Sequence, residues 1–213
     1  DPRLFTKKSL NIFFGKTNCK YIPLNKNLID KIWNRKNNIT KNKFYSLPAS
    51  STGENYKLKI NKIFSNLKKV KADLQFITAS ENNAWLLNIR GSDSKYTPIP
   101  YSYILFEKKK NVIFFCDLKK IPTYFKKNFK IKFIDIKETD TFLSNINRKK
   151  ILIDNNTCSI YYENTILKNN IIPNQQDPIY ALKAIKTKKE IENIKKAHIY
   201  DGAALTKYLF WIK

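Results

Sequence analysis

Residues 102–116, SYILFEKKKNVIFFC, limit the fold more tightly than any other stretch. Two apolar runs, Ser102–Glu107 and Val112–Cys116, flank Lys108-Lys109-Lys110-Asn111. A polar turn between two such runs predicts a β-hairpin. Four more segments read as strands: Leu74–Ala79, Trp85–Ile89, Ile131–Ile136 and Ile151–Ile153. Helix signals alternate with them. Ile60, Ile63, Phe64, Leu67 and Val70 recur every three or four residues, which gives one buried helix face. Ser51-Thr52-Gly53-Glu54 has capping-box spacing just upstream and predicts where that helix starts. Shorter helices are expected at Thr141–Ile146 and over Thr157–Glu163. The pattern predicts an α/β domain with a mixed sheet of five to six strands flanked by helices.

Polar stretches bound this domain. Asn34–Asn42 and residues 166–178 lack apolar periodicity and read as linkers. The chain therefore divides into residues 1–40, 41–173 and 174–213. In the first part, Leu10–Phe14 is a short apolar stretch, Cys19–Ile22 looks strand-like, and Asn27–Trp33 reads as a short helix with Leu28, Ile29, Ile32 and Trp33 on one face. In the last part, Thr187-Lys188-Lys189-Glu190 is a second capping box. Behind it, Ile191, Ile194, His198, Leu205, Leu209 and Ile212 form one stripe. That helix runs to Lys213 without a stop signal, and the sequence opens without an initiator Met. Both features lead to the expectation that the chain is a piece of a longer protein.

Several function classes drop out on residue content. With glycine only at 15, 53, 91 and 202, the dinucleotide fingerprint and the P-loop are excluded. Cys19, Cys116 and Cys158 form no CxxC pair and are expected as buried free thiols, which fits a cytoplasmic setting. His198 is the sole histidine, lies on an apolar stripe and has no G-x-S-x-G motif to accompany it. Of the acidic residues, Asp135, Glu138 and Asp140 alone crowd together, where they suit a helix N-terminus. No apolar run approaches the roughly 20 residues that span a bilayer. The net charge of +24 would suit a nucleic-acid partner. Yet the lysines are spread from end to end and only four basic residues are Arg, the side chain preferred for bidentate phosphate and guanine contacts. Specific nucleic-acid binding is therefore not expected.

One polar knot stands out. Arg90-Gly91-Ser92-Asp93 follows a predicted strand end at Ile89. Gly91 is expected to adopt torsions closed to other residues, and Ser92 and Asp93 to cap free N–H groups. Asp93 would hold the Arg90 fork. The pair would then either present that fork to a carboxylate or simply lock its own loop.

The segment Trp85-Leu86-Leu87-Asn88-Ile89-Arg90-Gly91-Ser92-Asp93, with Tyr96, Pro98, Ser102 and Tyr103 after it, resembles the second-domain signature of the three-domain Xaa-Pro aminopeptidases (aminopeptidase P). Three more stretches are similar in the right order: Pro23–Trp33; Thr52-Gly53 with Lys59-Ile60; and Lys183–Lys186 with Glu190-Ile191, Ala197-His198, Asp201–Leu205 and Trp211. The resemblance implies the end of a first domain, a whole middle domain, and the first helix of a pita-bread catalytic domain. It implies a parent enzyme that releases the residue preceding a proline with two divalent metal ions, usually manganese. The family's ligands, two Asp, one His and two Glu, would lie downstream, and His198 matches none of them. This chain alone would hold no metal and no catalytic residue, with Arg90 and Asp93 near the substrate, a role in substrate access, and homodimerisation of the parent. Two alternatives stand beside this reading: a basic nucleic-acid-binding module, and a noncatalytic scaffold relative.

Overall fold

The computed structural model describes residues 1–24, 26–33, 41–173 and 177–213. Helices α1 (Lys7–Phe14) and α2 (Ile29–Ile32) come first. Then follow β1 (Tyr45–Ser46), α3 (Ala49–Thr52), α4 (Tyr56–Lys69), β2 (Leu74–Ile77), α5 (Ser80–Leu87) and β3 (Ile89–Arg90). The hairpin β4 (Ser102–Glu107) and β5 (Asn111–Cys116) leads into α6 (Thr123–Asn128), β6 (Lys132–Asp135), α7 (Thr139–Ser144) and β7 (Ile151–Leu152). Helices α8 (Ile160–Leu167), α9 (Ile179–Ala184) and α10 (Lys188–Trp211) close the chain.

The main sheet has five strands in the order β6-β5-β4-β2-β7. It is mixed, as expected: β4 runs antiparallel to both β2 and β5, while β7 and β6 lie parallel to their neighbours. The hairpin register pairs Ser102 with Cys116 and Glu107 with Asn111, so the three lysines form the turn. Unbroken apolar runs such as ILF and VIFF suit a sheet covered on both sides. Alternation along each strand does the sorting. Ile104, Phe106, Val112 and Phe114 face a core shared with Ile63, Phe64 and Leu67 of α4. Leu105, Ile113 and Phe115 face the opposite core, with Leu143 of α7 and Ile166 of α8.

The helix expected from Ile60 to Val70 forms, but it starts differently. Asn55, not Ser51, caps it by accepting from the Lys57 N–H. Ser51 belongs to the short helix α3, which Gly53 ends at φ 73°. Glu54 is drawn instead into an ion pair with Lys62 at 2.6 Å.

Of the strand expected at Trp85–Ile89, Trp85, Leu86 and Leu87 are the last turn of helix α5, and only Ile89 is in a strand. WLLNI has no period-two alternation, and α5 buries Asn82, Asn83, Ala84, Leu86 and Leu87 against its neighbours. Asn88 ends it at φ 54°, a left-handed conformation that Asn tolerates. Only then does the chain extend, as the two-residue β3 paired antiparallel with β1.

Smaller corrections cluster at the flanks. Leu10–Phe14 lies in helix α1, capped reciprocally by Thr6 and Ser9, and Cys19–Ile22 is not a strand. The first residues are tied to α8: the Ile160 and Tyr161 N–H groups donate to the Phe5 and Pro2 carbonyls, and Lys7 pairs with Glu163 at 2.7 Å. Helix α8 occupies the opening of the second expected linker, where Ile171 also bridges Lys150. Residues 34–40 of the first expected linker and 174–176 of the second lie outside the described residues. Leu28, Ile29, Ile32 and Trp33 are all exposed, as is the stripe of α10. Cys116 and Cys158 are buried free thiols, but Cys19 is exposed.

Candidate functional site

Arg90 and Asp93 sit where the sequence places them, at the end of β3, but they do not bond each other. The Arg90 Nη1 donates to the backbone carbonyls of Ala84, at 2.8 Å, and Ile89, at 3.0 Å. It thereby binds the last turn of α5 to the strand that follows. Burial lowers its pKa from the ordinary arginine value, with the neighbouring Tyr45 acting in the opposite sense.

Asp93 turns the other way. One carboxylate oxygen accepts from the Tyr101 N–H at 2.7 Å, and the other from the Lys120 ammonium. Tyr101 lies at the far end of the loop, so Asp93 closes residues 93–101 into a ring. Lys120 brings in the segment after β5, and its own main chain is fixed, since its carbonyl accepts from the Phe44 N–H at 2.9 Å. The expected Arg–Asp lock is thus two separate locks that share a loop. The physical reason is register: Arg90 points back toward the helix it follows, and Asp93 lies beyond the turn.

Gly91 is required for space and not for torsion. A Cβ there would lie 2.9 Å from both a Phe44 ring carbon and the Pro100 Cα. Its N–H donates to the Pro98 carbonyl at 3.3 Å. Above this packed base the loop is open, with Tyr96 86% exposed and Tyr101 56%.

A second polar node joins residues that the sequence offers only as separate points of resemblance. Lys59 of α4 is 1% exposed. Its ammonium donates to the Trp85 carbonyl at 2.9 Å and to Asn88 Oδ1 at 2.8 Å, and lies 4.3 Å from the Trp85 ring centre. Burial lowers it to about 8, opposed by the negative charges of Glu190 and Glu54. The signal was a lysine at a position of α4 one residue before Ile60, on the border of the apolar stripe.

Through Trp85 this node reaches α10. The Glu190 carboxylate is pushed up by burial, but it is held below its ordinary value by bonds from Thr187, by the Trp85 side chain and by the Lys59 charge. Thr187 and Glu190 form the capping box predicted from their spacing. The contact is close: a Cβ on Gly53 would stand 2.8 Å from Thr187 Cβ. Asn193 Nδ2 adds a bond to the Ser51 carbonyl at 2.8 Å.

His198 lies on the exposed surface of α10. Asp135 accepts from the Lys137 N–H, which makes it a helix cap as expected. Among the described residues, no group of three His, Cys, Asp or Glu side chains could hold a metal ion. Among the described residues, no helix is long and apolar enough to cross a membrane. What the site can do chemically is fix positions. It clamps a loop, and it docks the start of one long helix on α3, α4 and α5.

The creatinase/prolidase N-terminal domain family matches residues 34–190. The chain is 29% identical over its full length to a Xaa-Pro aminopeptidase of Drosophila melanogaster, covering 36% of that protein. It is 34% identical over 81% of its length to Xaa-Pro aminopeptidase 1 of Dictyostelium discoideum, covering 28% of it. The chain therefore spans about a third of the length of the curated relatives it matches. Its fold is that of a crystal structure of an X-prolyl aminopeptidase from Caenorhabditis elegans, described as a cytosolic enzyme with a dinuclear active site. That match has a TM-score of 0.79 at 24% identity and covers 90% of this chain and 32% of the other.

Proposed function

The chain belongs to the creatinase/prolidase N-terminal domain family, and from that premise we propose that it is noncatalytic architecture of a Xaa-Pro aminopeptidase. The parent would release the N-terminal residue from peptides with proline in second position. Its two divalent metal ions, manganese by family resemblance, would be held by residues that follow Lys213. Residues 41–173 would form the middle domain, residues 1–40 the end of a first domain, and residues 174–213 the entry to the catalytic one.

One observation carries this reading. The opening turns of α10 are fastened to the α/β unit by Glu190 meeting the Trp85 side chain and the Lys59 charge, by the Asn193 bond to the Ser51 carbonyl and by the close approach of Gly53 to Thr187. A helix that opens a catalytic domain needs such an anchor if the sheet is to set where that domain stands. Arg90 and Asp93 act in this proposal as supports. They hold the base of a loop that presents Tyr96 toward substrate access or a partner copy. The cytosolic setting of the nematode enzyme agrees with a cytoplasmic location for the parent. The family match does not favour the nucleic-acid module.

The test is to read the coding sequence past Lys213, express the whole product, and assay Xaa-Pro peptides with manganese. We expect release of the first residue by the whole product and none by residues 1–213 alone. A stop codon after Lys213, or a whole product that leaves such peptides intact, would overturn the enzyme reading in favour of a scaffold relative.

A further inference from the structure

The sheet carries a second feature at the opposite end of β4 from the Tyr101 loop, about 17 Å away along a six-residue strand. An open cleft of about 910 Å³ lies between the hairpin turn, the start of β2 and the segment after α7. That volume falls within the roughly 300–1,000 Å³ range of small-molecule sites. Leu74, Phe142 and Ile146 give it an apolar floor, and Lys108, Lys109 and Lys149 stand on its rim.

The walls are stitched together by main-chain bonds. Asp73 and Leu74 donate to the Lys150 carbonyl at 2.9 and 3.1 Å, and Lys108 donates to the Asp73 carbonyl at 2.8 Å. The cleft is thus shaped by the sheet's own ladder. Both acids that line it are already engaged: Asp73 accepts from the Lys150 N–H at 3.0 Å, and Glu107 from Asn111 Nδ2 at 2.8 Å. Among the described residues, the three rim ammonium groups have no ion pair. A neighbouring depression of about 570 Å³ shares Glu107 and Phe142 and adds Lys110, Lys130 and Lys132. Around the two depressions six lysines outnumber the two acids, Asp73 and Glu107.

We propose that this cleft binds a small amphipathic anion, with a carboxylate-type head on the lysine rim and a hydrocarbon body on Leu74, Phe142 and Ile146. The apolar body supplies most of the binding free energy, and the lysines orient the head and exclude cationic or neutral analogues. This site is separate from the loop and the helix joint described above, and it holds whether or not the parent is a peptidase.

The probe is laurate, titrated calorimetrically into the intact chain at physiological salt, with dodecylamine as the opposite-charge control. A triple variant, Lys108→Glu/Lys109→Glu/Lys149→Glu, tests the rim. A second triple on α10, Lys195→Glu/Lys196→Glu/Lys207→Glu, makes the same charge change elsewhere. All these lysines are exposed, so both variants should fold, and circular dichroism checks that they do. We expect one saturable laurate site, weakened at least about tenfold by the rim variant and little changed by the α10 variant. Absence of saturable binding, equal weakening by both triples, or equal binding of dodecylamine would overturn the proposal.

Discussion

Lys120 and Asp93 form an ion pair almost out of solvent, with side chains 7% and 11% exposed. Neither residue belongs to a strand of the main sheet, yet the pair ties the loop after β3 to the turn after β5. Breaking a buried pair from one side leaves a charge without compensation, at a cost of about 3–5 kcal/mol. Asp93→Ala should therefore destabilise the chain by about 3 kcal/mol on urea unfolding. Lys120→Met should do similar damage. The double variant should lose clearly less than the two single losses added together, because no orphan charge remains. Simple additivity would mean that the pair is not coupled.

Gly91 gives a steric counterpart. Gly91→Ala puts a methyl group 2.9 Å from both a Phe44 ring carbon and the Pro100 Cα, closer than Cβ atoms pack. Overpacking of this kind costs about 1–3 kcal/mol. Denaturant midpoints measured for the variant should fall accordingly, and an unchanged midpoint would show that the Phe44 ring moves aside freely.

Gly53 tests the joint with α10. Its left-handed backbone and its contact with Thr187 both oppose a side chain. Gly53→Ala should loosen the first turns of α10 while leaving the sheet intact. Amide exchange should accelerate over residues 188–194, with β4 and β5 still protected. Equal acceleration in both regions would mean global destabilisation instead.

Asp177 supplies a pH dependence. Burial pushes its carboxyl up to about 6 from 3.8, partly offset by bonds from the Ile179 N–H and Gln75. Between those values the native state holds a proton that the unfolded chain has released. The associated stability is fully present below about pH 4 and is lost as pH rises through about 6. Asp177→Asn keeps a carbonyl acceptor for both bonds and removes the charge. It should flatten the fall in stability between pH 4 and 7, and raise stability at pH 7.5 by about 2 kcal/mol once solvent screening is allowed for. Identical pH profiles for the two proteins would contradict this assignment.

The sheet was legible because its signals are local. The hairpin, β2, β6 and β7 each announce themselves as short apolar runs between polar turns, and α4 and α10 by their periodicity. The helical state of Trp85-Leu86-Leu87 at the end of α5 was not legible, since so short an apolar run has no period of its own. That state follows from packing, and from Asn88 taking a left-handed end. The candidate site was legible as a place and not as a set of bonds. Arg90, Gly91 and Asp93 do gather at one loop base, but their partners Ala84, Lys120, Tyr101 and Phe44 come from contacts that spacing alone does not reveal. Lys59 was hidden for the same reason: burial of its amine depends on Trp85 and Asn88 closing over it.

The two outermost strands of the sheet have a consequence for the chain's behaviour in company. Strand β7 is only two residues long, and β6 begins at the exposed Lys132 with Lys130 just ahead of it. A stray extended segment from another copy would find little backbone to pair with on one side, and ammonium groups on the other. The lysine excess that looks at first like a nucleic-acid signature also works as protection against aggregation, keeping an apolar, aromatic-rich sheet from templating its own kind.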